Sequence, residues 1–320
     1  MQRLKRFIRK LLRIEQPTVQ PSNRGLWSIG VFSGSSPLAL GPDARIPCPV
    51  ISREDVTDVP ASFVADPFLF RDGETWHLFF EVLNRRTGRG EIGLATSGDL
   101  TSWKYERIVL AEPFHLSYPQ VFEWMGTRYM VPEAHQTSTI RLYRADPFPT
   151  GWTYVHTLIS GMAFSDATLF RRDDRWWLFT ETSHPRRHDT LRLYHADDLF
   201  GEWTEHPASP IVAGDPHTAR PAGSVVSIDG SLFRFSQDCA PRYGLSVHAF
   251  EITTLTTTEY AERPVNANPV LGGSSIANAW NASRMHHVDA HRIAPDRWIA
   301  AVDGALDVTA AEIDGERLPR

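Results

Sequence analysis

The stretch Phe63–Glu81, FVADPFLFRDGETWHLFFE, decides the fold. A short apolar run is followed by a polar turn at Asp72-Gly73-Glu74 and a second apolar run that ends in a carboxylate. Such a pattern reads as a β-hairpin turning near Gly73. The start of the first strand then lies opposite the end of the second, so Asp66 and Glu81 sit together at one end of the hairpin. Both are charged where a buried strand would take an apolar residue.

The unit recurs. Tyr118–Glu133 (YPQVFEWMGTRYMVPE), Asp166–Glu181 (DATLFRRDDRWWLFTE), Gly223–Asp238 (GSVVSIDGSLFRFSQD) and Val288–Asp303 (VDAHRIAPDRWIAAVD) share its layout, and each ends in Glu or Asp. Strand-bearing repeats on this scale indicate a propeller. The expected fold class is therefore all-β, a five-bladed β-propeller, preceded by a short N-terminal amphipathic helix. Third strands are expected at Glu91–Thr96, Thr139–Arg144, Thr190–His195 and Leu245–Ile252. Trp103, Trp152 and Trp203 open fourth strands and read as packing anchors between blades. The fifth repeat is one strand short, and Leu26–Phe32 (LWSIGVF) is predicted to supply it, closing the ring and removing a sheet edge. Val265–Trp280, rich in Gly, Asn and Ser, reads as a long rim loop.

Residues 1–23 differ from the rest and form a tail and linker; residues 24–320 form one domain. In MQRLKRFIRKLLRIE, Leu4, Phe7, Ile8, Leu11 and Leu12 share one helical face, and six basic residues fill the remainder. A basic amphipathic helix suits an anionic membrane surface, with about 1 kcal/mol of attraction per basic residue. Docking on its own domain or on a partner protein is the alternative. With no apolar signal-peptide core and no run of transmembrane length, the chain is expected in the cytoplasm, peripheral on the inner membrane face. A net charge of −5 over 320 residues gives no reason to expect nucleic acid. Cys48 and Cys239 make no disulfide framework.

The first strand of each propeller blade lines the central channel, so the hairpin ends surround one mouth of it. There the sequence offers Asp66, Tyr118, Asp166, Arg220 and His287 on the first strands. The second strands offer Glu81, Glu133, Glu181, Gln237 with Asp238, and Asp303. A carboxylate repeated in every blade can instead be scaffold, accepting backbone N–H bonds, and this reading stands beside the functional one for Glu81, Glu181 and Asp303. Carboxylates crowded with Arg, Tyr and His suit glycosyl chemistry, which needs one group for a proton and another for developing positive charge. Asp66 is assigned as base or nucleophile, with Asp166 or Glu133 as the second carboxylate. Arg220 is assigned to clamp a donor phosphate, or alternatively to pair with a neighbouring carboxylate. His115, Tyr118, Gln237 and Tyr243 are expected to orient hydroxyls, with Glu81, Glu181, Asp238 and His287 also in the substrate set. No cofactor is expected; a divalent metal on the alternating His287, Asp289 and His291, beside His286, is the alternative.

ADPFLF (65–70), FFEV (79–82), FHLSYPQVFE (114–123), YMVPEAH (129–135), WWLFTET (176–182), ARPAG (219–223) and FSQDCAPRYG (235–244) carry a resemblance. From about Trp27 to Tyr260 the chain resembles the N-terminal domain of glucosamine inositolphosphorylceramide transferases. In the plant proteins, transfer is attributed to a separate C-terminal domain. More distantly, the ADP opening is similar to the five-bladed furanosidases, the arabinanases and fructosidases, whose first-blade Asp serves as base or nucleophile. This chain departs from them at Tyr118, where those enzymes usually carry a carboxylate. The resemblance implies a carbohydrate-linked propeller. The leading reading is sugar transfer in surface polysaccharide or glycolipid assembly, with a sugar or nucleotide-sugar as ligand. The alternatives are a furanosidase-type glycoside hydrolase and a non-catalytic glycan-binding propeller that partners a transferase.

Overall fold

The computed structural model describes residues 24–183 and 187–308. The expected N-terminal helix lies outside them. Five antiparallel sheets stand around a central axis. Blade 1 contains Ala61–Asp72, Thr75–Asn84, Arg89–Ser97 and Lys104–Leu110. Blade 2 contains Ser117–Trp124, Thr127–Glu133, Thr139–Ala145 and Trp152–Ser160. Blade 3 is built on Ser165–Arg172, Arg175–Glu181 and Thr190–Ala196, with a short outer edge. In blade 4 the inner strand is broken into Arg220–Pro221 and Val226–Ile228, which pair with Ser231–Asp238; Ser246–Leu255 follows outside it. Blade 5 joins Val288–Ala294 and Arg297–Val308 to the N-terminal strands Arg24–Ser36 and Ala39–Pro42.

The predicted closure is present. Arg24–Ser36 pairs with Arg297–Val308 in the register Leu26↔Leu306 and Phe32↔Ala300. Alternate residues of this strand, including Ile29 and Val31, are fully buried between blades. The three tryptophans also act as expected. Each donates its indole N–H to a carbonyl just upstream: Trp103 to Leu100, Trp152 to Pro149 and Trp203 to Leu199. Their rings pack into the interblade clusters. The 265–280 loop is tied back to blade 4, with Leu271–Gly272 paired to the Ser246–Leu255 strand and the Asn268 amide bonded to both backbone groups of Ala249.

One feature of the inner hairpins was not read from the sequence. In blades 1 to 3 the register slips at Ala65/Phe68, Ser117/Gln120 and Ser165/Thr168. The looped-out residues Asp66, Tyr118 and Asp166 take left-handed backbone angles, with φ of 53°, 48° and 51°. Each such residue costs about 1–3 kcal/mol, and a bulge is the device that turns a side chain out of the pleat. Carboxylates hold these bulges. Asp303 accepts the Asp66 N–H, Asp66 that of Tyr118, and Glu133 that of Asp166. Side chains thus reach from one blade to the next. Gly223 continues the series in blade 4, at φ 125°, where a Cβ would stand 1.8 Å from the Val288 carbonyl oxygen.

The channel below the bulges is filled. Phe68, Tyr118 and His287 meet edge to face, with centroids 4.7–5.2 Å apart. The Tyr118 hydroxyl accepts the Gly223 N–H at 2.6 Å and pairs with the Thr168 hydroxyl at 2.7 Å. A cavity lies on the bulge side of this plug.

Candidate active site

That cavity holds about 230 Å³. This is smaller than the roughly 300–1,000 Å³ of drug-sized sites, with room for one sugar ring. Of the residues singled out from sequence, Asp66, Glu81, His115, Glu133, Arg220 and Tyr243 line it. Trp27, His188 and His286 also line it and were missed.

The floor is an ion network. Arg220 donates from Nε and Nη2 to the two Asp166 oxygens, at 2.7 and 3.2 Å, and from Nη2 to Glu133 at 3.3 Å. Its Nη1 meets His188 Nδ1 at 3.0 Å, and its guanidinium lies 5.2 Å from the Tyr243 ring centroid. The forked edge that would grip a phosphate is thus already taken by Asp166. Arg220 is a buried ion-pair partner, and the phosphate-clamp expectation does not hold in this geometry. Glu133 is equally committed, to His135, to the Asp166 N–H and to Arg220. Burial works against its charge, but the His135 bond and the Arg220 charge outweigh burial and hold its carboxyl below the usual range.

Asp66 differs. Its Oδ2 accepts the Tyr118 N–H, whereas Oδ1 is buried and has no hydrogen-bond partner among the described residues. Burial, reinforced by the carboxylates of Asp166, Glu81 and Asp303, raises its pKa well above the usual value. The site therefore favours the neutral form of Asp66. Beside it, His286 bridges two carboxylates. Its Nδ1 lies 2.7 Å from Asp303 Oδ1, and its Nε2 lies 3.6 Å from Asp66 Oδ1. Burial also works against the Asp303 charge, but the contact with His286 prevails and keeps that carboxyl low. An ionised Asp303 fixes Nδ1 as the donor and turns Nε2 towards Asp66. Trp27 stacks on the imidazole with centroids 4.0 Å apart, and the Arg284 guanidinium lies 5.1 Å from the Trp27 ring centroid.

Asp66, His286 and Asp303 also form a group of potential metal ligands. One ligand atom of each lies within 4.8 Å of the others, and the same arrangement suits proton sharing, because each imidazole nitrogen addresses a different carboxylate. The alternating set that the sequence offered as the metal alternative is not assembled among the described residues. Asp289 pairs with His291 at 2.8 Å and accepts the Leu69 N–H, while His287 packs against Phe68 and Tyr118. Burial lowers the His287 pKa to about 4.

The other expected residues lie below or beside the cavity. Tyr118, Gln237 and His287 are fully buried. Tyr118 plugs the channel, and Gln237 bonds Asp166 and the Pro221 carbonyl. They support the site without lining it. Asp166 stands beneath Arg220. Glu181 accepts the Ser183 N–H, and Asp238 pairs with His217 at 2.9 Å, both within their own blades. Scaffold use, the alternative stated for the repeated carboxylates, thus describes Glu181 and part of the role of Asp303. Glu81 faces the cavity and pairs with His115 at 3.1 Å. His286 was missed because one residue decides which of two adjacent histidines faces the mouth. Trp27 was missed because it arrives on the closing strand.

Comparison with known proteins gives this geometry a family. The family model described as "Glucosamine inositolphosphorylceramide transferase 1, N-terminal" matches residues 19–305. The chain belongs to that family. The match extends the resemblance through blade 5, and the family is the one the sequence motifs indicated. Glucosamine inositolphosphorylceramide transferase 1 of Oryza sativa subsp. japonica is 38% identical over 303 residues, covering 89% of this chain and 40% of that protein. The Arabidopsis thaliana protein of the same name is 34% identical over 302 residues, covering 88% and 39%. The chain thus spans about 40% of the length of these curated relatives. Among solved structures, a thermostable family-43 glycoside hydrolase superposes with a TM-score of 0.58 at 15% identity, covering 81% of this chain and 91% of that one. The catalytic domain of the Coprinopsis cinerea GH62 α-L-arabinofuranosidase gives 0.57 at 15% identity, covering 90% and 99%. These two share the fold.

Proposed function

We propose that this propeller binds one sugar residue in the mouth cavity and takes part in sugar transfer for glycolipid or surface polysaccharide assembly. The observation that carries the reading is the buried, unpartnered Oδ1 of Asp66 beside the His286–Asp303 pair. When an acceptor hydroxyl docks at Asp66, the resting proton of Asp66 passes to His286 Nε2, where Asp303 stabilises the imidazolium. The Asp66 carboxylate then removes the acceptor proton as the acceptor oxygen bonds to the sugar C1. The C1–leaving-group bond breaks, and the leaving group departs with the electron pair. A positioned base of this kind is worth about 10²–10⁴ in rate. The names of the family and of the plant relatives support transfer of a sugar to a lipid acceptor. The basic amphipathic pattern of residues 1–15 supports work at the cytoplasmic membrane face.

A second reading rests on a specific observation: Asp166 and Glu133 are saturated by Arg220 and its neighbours, leaving Asp66 as the cavity acid with a free buried oxygen. One such acid suffices for a sugar-binding module that partners a transferase. Turnover and binding measured together on Asp66→Asn separate the readings. Sugar transfer predicts a loss of at least about 10²-fold in turnover with sugar binding kept; full turnover would sink the assignment of Asp66. Release of sugar from aryl glycosides without any donor would favour the hydrolase reading instead.

A further inference from the structure

The cavity wall is acidic, but the turns that rise beyond it are basic. Blade 1 carries Arg85, Arg86 and Arg89 on the turn between its second and third strands. The corresponding loops of blades 3 and 4 carry Arg187 and Arg242, which are paired with Asp189 and Asp307. Arg85 and Arg86 are exposed, and neither has an ion pair or side-chain hydrogen bond among the described residues. Arg89 is half-buried, with an Nε that lacks a hydrogen-bond partner among the described residues.

This turn adjoins the site. The Gly90 N–H donates to His115 Nδ1 at 2.9 Å, and a Cβ on Gly90 would stand 2.7 Å from Glu81 Oε1. Arg89 is thus one residue from the cavity wall, and Asn84 is three residues beyond Glu81, about 10 Å along the strand. The turn is also fixed from below. Buried Asn84 accepts the Arg86 N–H at 2.9 Å and donates to buried Glu91 at 2.9 Å, and the Thr87 hydroxyl meets Glu91 at 3.1 Å. Guanidinium groups on a preset backbone recognise phosphate by paired N–H donors.

We infer that Arg85, Arg86 and Arg89 hold a phosphate or diphosphate attached to the sugar in the cavity. This inference rests on the sugar-site reading and assigns to the blade 1 turn the anion role that Arg220 cannot fill. The substrate class is a phosphate-linked sugar, whether the phosphate belongs to a nucleotide or to a lipid.

The test is calorimetric titration of the full chain in 50 mM salt with free hexoses, the matching hexose 1-phosphates, UDP-hexoses, and polyprenyl-phosphate hexose in neutral phosphatidylcholine vesicles. The phosphate-linked form of the bound hexose should bind at least about 10-fold more tightly than the free sugar, with the gap narrowing at 500 mM salt. Arg85→Glu with Arg86→Glu should close the gap and leave free-hexose affinity and Tm unchanged, because both side chains are exposed. Preference for the UDP-linked or the polyprenyl-linked form identifies the phosphate source. Free and phosphorylated hexose binding equally, or a gap that survives charge reversal, would overturn the inference and leave the sugar site standing. Failure of every probe to bind would overturn both. Arginine-dependent capture on phosphatidylserine vesicles, with no response to sugar, would overturn the inference in favour of a membrane contact.

Discussion

Replacing Arg220 with Ala should unfold the site from its floor. Arg220, Asp166 and Glu133 are 6%, 1% and 4% exposed, so solvent cannot compensate for the lost cation. Truncating one partner of a buried ion pair costs roughly 3–5 kcal/mol, a large part of the roughly 5–15 kcal/mol that holds a typical domain. The loss should depend on pH, with a defined sign. In the wild type the folded-state pKa of Glu133 is depressed. Its contribution is therefore complete above the ordinary carboxylate range and fades as pH falls through the folded value. Without Arg220 the two carboxylates lose their cation, and their folded pKa values rise. The variant then loses stability as pH increases. Urea unfolding followed by tryptophan fluorescence should show a deficit of about 3–5 kcal/mol at pH 8 that shrinks near pH 4. Arg220→Met, which restores much of the volume, should recover little of the loss at pH 8. A deficit below about 1 kcal/mol, or one equal at both pH values, would refute the ion-network account.

Asp66→Asn should be no less stable than wild type above the ordinary carboxylate range, because burial and the neighbouring carboxylates already disfavour the charged form of Asp66 there. The raised folded pKa of Asp66 means that wild-type stability declines as pH climbs above the ordinary carboxylate range, and the variant should show a shallower decline, keeping the part due to Asp166, whose pKa burial also raises; a matched pair of pH–stability curves checks this. Tyr118→Phe should cost about 1–3 kcal/mol in thermal unfolding, because it leaves the buried Gly223 N–H without its acceptor. Gly223→Ala should yield no soluble folded protein, since its Cβ has no space at 1.8 Å from a carbonyl oxygen; a normal melting curve would contradict the close approach.

The architecture was legible because hairpins announce themselves twice, through turn residues and through alternation. The blade closure was legible because blade 5 lacked a strand and Leu26–Phe32 matched it. Six expected site residues reached the cavity, since the end of an inner hairpin must face a channel mouth. Sequence places a residue at a strand end, but the bulges decide which neighbour turns inward, and a one-residue slip reverses a side chain. A bulge sent Tyr118 down the channel, whereas His286 and His287 precede the Val288–Ala294 strand, so no ladder pairing in the sequence pattern tells which of them faces the mouth. For Arg220 the alternative reading, a pair with neighbouring carboxylates, describes the structure; sequence could not choose it over the phosphate clamp because the partners come from blades 2 and 3, 87 and 54 residues away.

The strand Arg24–Ser36 pairs with Arg297–Val308, so the ring closes between segments some 270 residues apart. Closing a loop of that length costs about 5 kcal/mol in chain entropy before any contact repays it. A ribosome adding roughly 5–20 residues per second needs at least about 14 s to travel from the first of these strands to the second. Throughout that interval an apolar strand has an unpaired edge. The early part of the chain is thus exposed to mispairing with other nascent copies, and slowing translation should lower the soluble yield of this protein more than that of a helical protein of equal length.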